Sequence, residues 1–137
     1  MNISVLGSTG SVGTNTLNVV GRSNGVFKVI ALAACNNIRV LEQQARRFRP
    51  KLIAVWDEEK SLLLRKKVRR LRIKVVGGEK GLLAAATVPA AERVVFALSG
   101  SAGIAALMEA ISSKKDIAIA NKEPLVSTGA LIMREVR

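Results

Sequence analysis

Histidine and tyrosine are absent from this 137-residue chain, and cysteine occurs once. Without histidine there is no Ser-His-Asp triad and no zinc site built on imidazole. Without tyrosine the Tyr-Lys pair of short-chain dehydrogenases is excluded too. A single cysteine cannot close an internal disulfide and fits a reducing compartment, so a cytoplasmic location is expected. That residue, Cys35, follows an apolar run and is expected to be a small buried thiol rather than a nucleophile. Aromatic residues are few, one Trp and three Phe, which leaves no interleaved rings on which bases could stack. Long apolar runs are missing as well. The longest, Val29 to Cys35, has seven residues, against the roughly 20 a helix needs to cross a bilayer. No membrane partner is expected. Met1 to Leu6 carries no basic leader, so no signal peptide is expected.

What is present is a folded domain's composition. Hydrophobic residues make up 49% of the chain and the mean hydropathy is +0.27, too aliphatic for disorder and long enough for one core. The net charge of +12 raises the possibility of an anionic macromolecular partner. Its distribution argues otherwise. Twelve cations and three acids lie between Arg46 and Lys74, so one stretch holds nine of the twelve net charges. Its centre, 58–71, reads as one amphipathic helix, with Glu58 and Glu59 in the first turn and cations at the end, as the helix dipole favours. A solvated helix face accounts for it, and binding of nucleic acid is not expected.

Short apolar segments alternate with helical ones along the chain. Strands are expected at 3–6, 27–33, 52–56, 73–76, 94–98 and 117–120, with helices at 12–22, 40–48, 58–71, 81–86 and 102–112. The strands are apolar throughout rather than alternating, the pattern of strands covered on both faces. The fold class is therefore α/β, with right-handed βαβ units and an open, doubly wound, mostly parallel sheet in a single domain. Residues 129–137 read as a helix without a cap or breaker, so the chain is expected to be cut there and to be the first domain of something longer.

Gly7-Ser8-Thr9-Gly10-Ser11-Val12-Gly13 lies directly between the first strand and the first helix. Glycines there allow a tight turn and let backbone amides approach a pyrophosphate, while the helix points its positive end at the same anion. Thr9 and Ser11 can add hydroxyl donors. Gly triplets also make bare turns, but strand–turn–helix context favours a dinucleotide site. NAD-binding units of this kind usually end their second strand with Asp or Glu, which accepts from the ribose hydroxyl. Here the second strand ends Ala33-Ala34-Cys35-Asn36-Asn37-Ile38-Arg39, and the first acid anywhere in the chain is Glu42. Amides, Arg39 and no carboxylate suit a ribose phosphate, which predicts NADPH over NADH. Asn36 and Asn37 acting only as turn residues is the plainer alternative.

Two more strand ends should share that sheet edge. Ser99-Gly100-Ser101-Ala102-Gly103 offers small residues for close approach, or for helix–strand packing. Asn121-Lys122-Glu123-Pro124 follows the last strand, and Pro124 disfavours helix at Glu123, leaving three polar side chains in an extended loop. A surface Lys-Glu pair is the alternative.

Gly7 to Gly13, Ala31-Leu32-Ala33-Ala34 leading to Asn37, Arg49-Pro50-Lys51 and Ala120-Asn121-Lys122-Glu123-Pro124-Leu125-Val126 together resemble the 1-deoxy-D-xylulose 5-phosphate reductoisomerases. The resemblance covers the whole chain and corresponds to that family's Rossmann-like, N-terminal NADPH-binding domain. It implies an NADPH-dependent oxidoreductase and isomerase of the non-mevalonate isoprenoid pathway. Such an enzyme rearranges a phosphorylated ketose and reduces the product to 2-C-methyl-D-erythritol 4-phosphate. By the family pattern Thr9, Gly10, Ser11 and Val12 contact the NADPH phosphates, and Asn37 with Asn36 sits by the ribose phosphate. Asn121 and Glu123 lie on the cofactor side, and Lys122 reaches the substrate. A homodimer is implied for the full-length protein. The family's divalent metal, magnesium or manganese, is held by carboxylates beyond this chain, so no metal ligand and no catalytic residue is assigned to it. Cys35 and Asn36 stand where the family often has glycine and then a basic or small residue, and the second glycine turn lacks the family's usual proline. The chain alone is expected to bind NADPH without turnover. Another NADP-dependent reductase, or a basic α/β module binding nucleic acid, are the competing readings.

Overall fold

The computed structural model describes residues 1–98 and 100–119. It contains β1 (Asn2–Leu6), α1 (Ser11–Gly21), β2 (Lys28–Ala34), α2 (Ile38–Phe48), β3 (Leu52–Val55), α3 (Glu58–Lys67), β4 (Lys74–Gly77), α4 (Gly78–Thr87), β5 (Arg93–Phe96), α5 (Ser101–Ser112) and β6 (Asp116–Ile119). All pairings among these strands are parallel, in the order β4-β3-β2-β1-β5-β6. The expected α/β class and the βαβ alternation are what the structure has.

The strand order dictates where the helices go. From β1 the chain steps outward through β2 and β3 to β4, then returns to place β5 on the other side of β1. Right-handed crossovers in opposite directions must run over opposite faces. Leu17 and Val20 of α1, Leu41 and Ala45 of α2, and Leu64 of α3 accordingly share one core with Ile3, Val5, Ile53 and Val55. Leu82, Ala85 and Ala86 of α4 and Ala106, Leu107 and Ala110 of α5 share the other with Leu6, Ala33, Val94 and Phe96. Each fully buried leucine contributes about 2–3 kcal/mol by leaving water. Covered on both sides, β1, β2, β3 and β5 are buried over nearly their whole lengths, while the edge strands β4 and β6 are partly open.

Pro89 shapes one joint in this frame. It has no N–H to offer the Ala85 carbonyl four residues earlier. Ser4, fully buried on β1, donates its hydroxyl to that carbonyl at 2.7 Å, and the end of α4 is satisfied from the sheet.

Two expectations are corrected. The helix read over 58–71 ends at Lys67, and a 3-10 turn, Arg69–Leu71, follows it. Val68 is buried in the core and Arg72 takes the left-handed conformation at φ 58°, which turns the chain so that Lys74 N donates to the Lys51 carbonyl and starts β4. Cys35, expected to be buried, is exposed. β2 ends at Ala34, so the thiol stands one residue past the last buried rung. The helix expected over 129–137 lies outside the described residues.

Candidate functional site

At the carboxyl end of β1 the chain must leave the sheet's centre and enter α1 within four residues. Gly7 adopts φ 88°, and a Cβ there would sit 2.5 Å from the Ala97 carbonyl oxygen on β5's extension. Only glycine fits both conditions. The Gly7 and Ser8 amides both donate to the Ala33 carbonyl, at 2.7 and 3.0 Å, which pins the turn to β2. Gly13 packs the first turn of α1 onto the turn's own backbone, where a Cβ would collide with the Gly7 carbonyl. Gly10 is different. The nearest atom to a Cβ there is 3.8 Å away, and the residue is exposed. Two glycines are needed to build the turn; the third keeps its outer side open.

Gly10 caps α1 without a side-chain hydrogen bond, and there is no acid in the helix's first turn. The backbone N–H groups of Thr9, Ser11, Val12 and Gly13 have no partner among the described residues. Thr9 is half-buried, while Gly10, Ser11 and Val12 are exposed. An uncapped helix start with open amides is a ready anion site, held together by glycine geometry that leaves room for the anion to approach.

Next to this turn, at the carboxyl ends of β2, β3 and β5, lies an open cavity of about 350 Å³ lined by Ala33, Cys35, Ala54, Trp56, Leu82 and Leu98, among others. Trp56 is 42% exposed. The cavity is mostly apolar, the kind of recess that takes a flat ring, and it sits where the strand order reverses.

The β2–α2 loop borders it. Asn36 and Asn37 are both exposed. Asn37 caps α2, its Oδ1 accepting from Val40 N at 3.3 Å, and the Asn36 carbonyl accepts from Ile38 N. Asn37 thus performs the turn role expected of it in the plainer reading, and its amide nitrogen remains available for a ligand. Arg39 stands in the first turn of α2, a position that the helix dipole disfavours for a cation. An anion at that spot would offset the conflict. Glu42, the chain's first acid, points elsewhere: it pairs with Arg46 at 2.8 Å and Lys67 at 3.9 Å.

The structure brings Thr9, Gly10, Ser11, Val12, Asn36 and Asn37 to one sheet edge. Gly100, at φ 85°, begins α5 on the same edge. Asn121, Lys122 and Glu123 lie outside the described residues. The basic stretch goes to the opposite edge, because Arg46 and Arg47 end α2, Arg65 to Lys67 end α3, and Lys51 and Lys74 precede or begin strands. Trp56 and Gln44 were not singled out by the sequence reading; a tryptophan after an apolar strand carries a burial signal, and a glutamine inside a helix carries none.

An all-parallel, doubly wound sheet whose central strand ends in a glycine turn and an uncapped helix defines a Rossmann-like α/β domain. Comparison with known proteins narrows this. A family model for 1-deoxy-D-xylulose 5-phosphate reductoisomerase matches residues 3–129, and the chain belongs to that family. The reductoisomerase of Lachnoclostridium phytofermentans is 56% identical over 135 residues, covering 98% of this chain and 34% of that protein. That of Moorella thermoacetica is 46% identical over 135 residues, covering 98% and 35%. Among solved structures, the Zymomonas mobilis reductoisomerase in complex with NADPH superposes with a TM-score of 0.93 at 34% identity, covering 99% of this chain and 36% of that one. A reductoisomerase in complex with NADPH, fosmidomycin and magnesium superposes at 0.93 with 30% identity, covering 99% and 34%. The chain spans about a third of the length of the relatives it matches.

Proposed function

We propose that this chain is the NADPH-binding domain of an enzyme that converts 1-deoxy-D-xylulose 5-phosphate to 2-C-methyl-D-erythritol 4-phosphate in non-mevalonate isoprenoid biosynthesis. The observation that carries the reading is the set of open backbone N–H groups at Thr9, Ser11, Val12 and Gly13 around an unobstructed Gly10. Bound NADPH supplies a hydride; the chain's residues hold and orient it. The amides around Gly10 take the diphosphate, assisted by the Thr9 and Ser11 hydroxyls. The cavity beside Cys35 and Trp56 takes the adenine. Asn36, Asn37 and Arg39 take the ribose phosphate, and β2 ends without the carboxylate that would accept from an unphosphorylated ribose. Asn121 and Glu123 belong to the cofactor side in this reading, and Lys122 reaches the phosphorylated ketose, where a fixed ammonium holds a polar substrate near the nicotinamide.

The family's divalent cation, magnesium or manganese, belongs to the full-length protein. Among the described residues no three His, Cys, Asp or Glu side chains come together to hold a metal ion. No helix among the described residues is long and apolar enough to cross a membrane. A cytoplasmic location and a homodimer of the full-length protein complete the reading; sedimentation of the full-length protein tests the dimer.

Calorimetric titration of the chain with NADPH and NADH tests the cofactor assignment. NADPH should bind more tightly, and Arg69→Glu with Arg70→Glu, on the far edge, should leave that affinity intact. Tighter NADH binding would reject the ribose-phosphate assignment. Loss of NADPH binding on charge reversal, with salt-sensitive binding to polynucleotide, would favour the basic-module reading.

A further inference from the structure

The peptide linking Ser8 to Thr9 is gripped from behind the turn. Gln44 of α2 is only 8% exposed, and its Nε2 donates to the Ser8 carbonyl at 2.8 Å. The Thr14 hydroxyl reaches the same oxygen at 3.5 Å. In a trans peptide the carbonyl and the following N–H point in opposite directions. A Ser8 carbonyl drawn toward α2 therefore turns the Thr9 N–H away from α2, and that N–H has no partner among the described residues.

Gln44 holds this position at a cost. It lies on the face of α2 that buries Leu41 and Ala45. Ser8 Oγ and Gln44 Oε1 are buried without partners, and they belong to the two residues that the 2.8 Å bond joins. A buried acceptor left bare is destabilising, and an apolar side chain of similar size would avoid it. What an apolar side chain cannot do is fix the Ser8 carbonyl.

We infer that Gln44 is a positioning residue for the cofactor's diphosphate, acting through the Ser8 carbonyl to aim the Thr9 N–H into the phosphate cradle. The inference rests on the NADPH reading above and adds to it a residue remote in sequence that controls one of the cradle's donors. The chain and its Gln44→Met and Gln44→Glu variants are titrated with NADPH and with adenosine 2′-monophosphate, which lacks the diphosphate, and their thermal midpoints are recorded. Gln44→Met keeps the volume and removes both the donor and the bare acceptor. Loss of the bare acceptor offsets a Ser8 carbonyl left with only the 3.5 Å Thr14 contact. The variant should therefore melt close to the parent, bind NADPH about tenfold more weakly, the scale of one hydrogen bond to a charged group, and bind adenosine 2′-monophosphate unchanged. Gln44→Glu sets an acceptor against the Ser8 carbonyl and should weaken NADPH further, again sparing adenosine 2′-monophosphate.

Parent-like NADPH affinity in both variants overturns the inference, as does a parallel loss of both ligands, which marks a merely structural role. Should Gln44→Met not fold, Thr14→Val reads the same carbonyl through its longer contact, with a two- to threefold NADPH loss expected and no change overturning the idea. A parent chain that binds no NADPH defeats the functional reading and this inference together; a parent that binds while the variants match it defeats the inference alone.

Discussion

Alanine at Gly13 and alanine at Gly10 should have opposite effects, because the two glycines meet different surroundings. At Gly13 a Cβ would collide with the Gly7 carbonyl and lie 2.7 Å from Ser8 Cα and 2.8 Å from the Gly7 carbonyl carbon. All three obstacles are backbone, and that backbone is tied to Ala33 by two backbone hydrogen bonds and to the Gln44 side chain by a third. Relief requires α1 to lift or the turn to open. Overpacking in a tight site costs about 1–3 kcal/mol, and a backbone obstacle puts Gly13→Ala near about 3 kcal/mol. For a domain of this length that corresponds to roughly 10 °C in Tm. At Gly10 the nearest atom is 3.8 Å away and the backbone is extended, φ −78°. Alanine for glycine at a helix N-cap costs well under about 1 kcal/mol, so Gly10→Ala should melt within about 3 °C of the parent. Its methyl nevertheless stands on the outer side of the cradle, and NADPH affinity should fall by at least about tenfold, the weight of about 1.4 kcal/mol of lost contact. Thermal unfolding followed by circular dichroism, paired with calorimetry, separates the two. If Gly13→Ala melts with the parent, the packing account is wrong. If Gly10→Ala binds NADPH as the parent does, the cofactor does not lie over Gly10.

Cys35 lines the cavity assigned to the adenine, so saturating NADPH should slow its modification by a thiol reagent several-fold, followed by mass spectrometry; an unchanged rate places the base elsewhere. Ser4→Ala leaves the Ala85 carbonyl bare beside Pro89, at a cost of about 1–3 kcal/mol. Its Tm should drop by roughly 3–9 °C while NADPH affinity is kept, and a parent-like Tm would show that water satisfies that carbonyl.

The βαβ order was legible because strands covered on both faces must be apolar throughout, as Val29 to Ala34 and Leu52 to Val55 are. The glycine turn was legible for a related reason: glycine at Gly7 and Gly13 is forced by geometry that hardly any other residue can meet. Chain reversals were less so. Nothing in the spacing of Leu64, Val68 and Leu71 distinguishes one long helix from a helix followed by a tight turn; the register of Lys74 on Lys51 decides it. Cys35 is exposed because β2 ends just before it, at Ala34, a boundary that apolar composition does not mark. Gln44 was illegible because its partner is a backbone carbonyl 36 residues away, and no motif records a carbonyl.

β1 precedes both of its partners in the chain and lies in the middle of the sheet. It pairs with β2 on one side, but its other neighbour, β5, begins at Arg93. The Ala97 amide that bonds the Leu6 carbonyl, and the Ala97 oxygen against which Gly7 is packed, come only after β5. A ribosome that has made the Gly7 turn must therefore translate everything from α1 through β5 before that turn has its second wall. Until then the emerging polypeptide carries a half-covered central strand, and the interval between those two points of translation is when a holding chaperone would matter most.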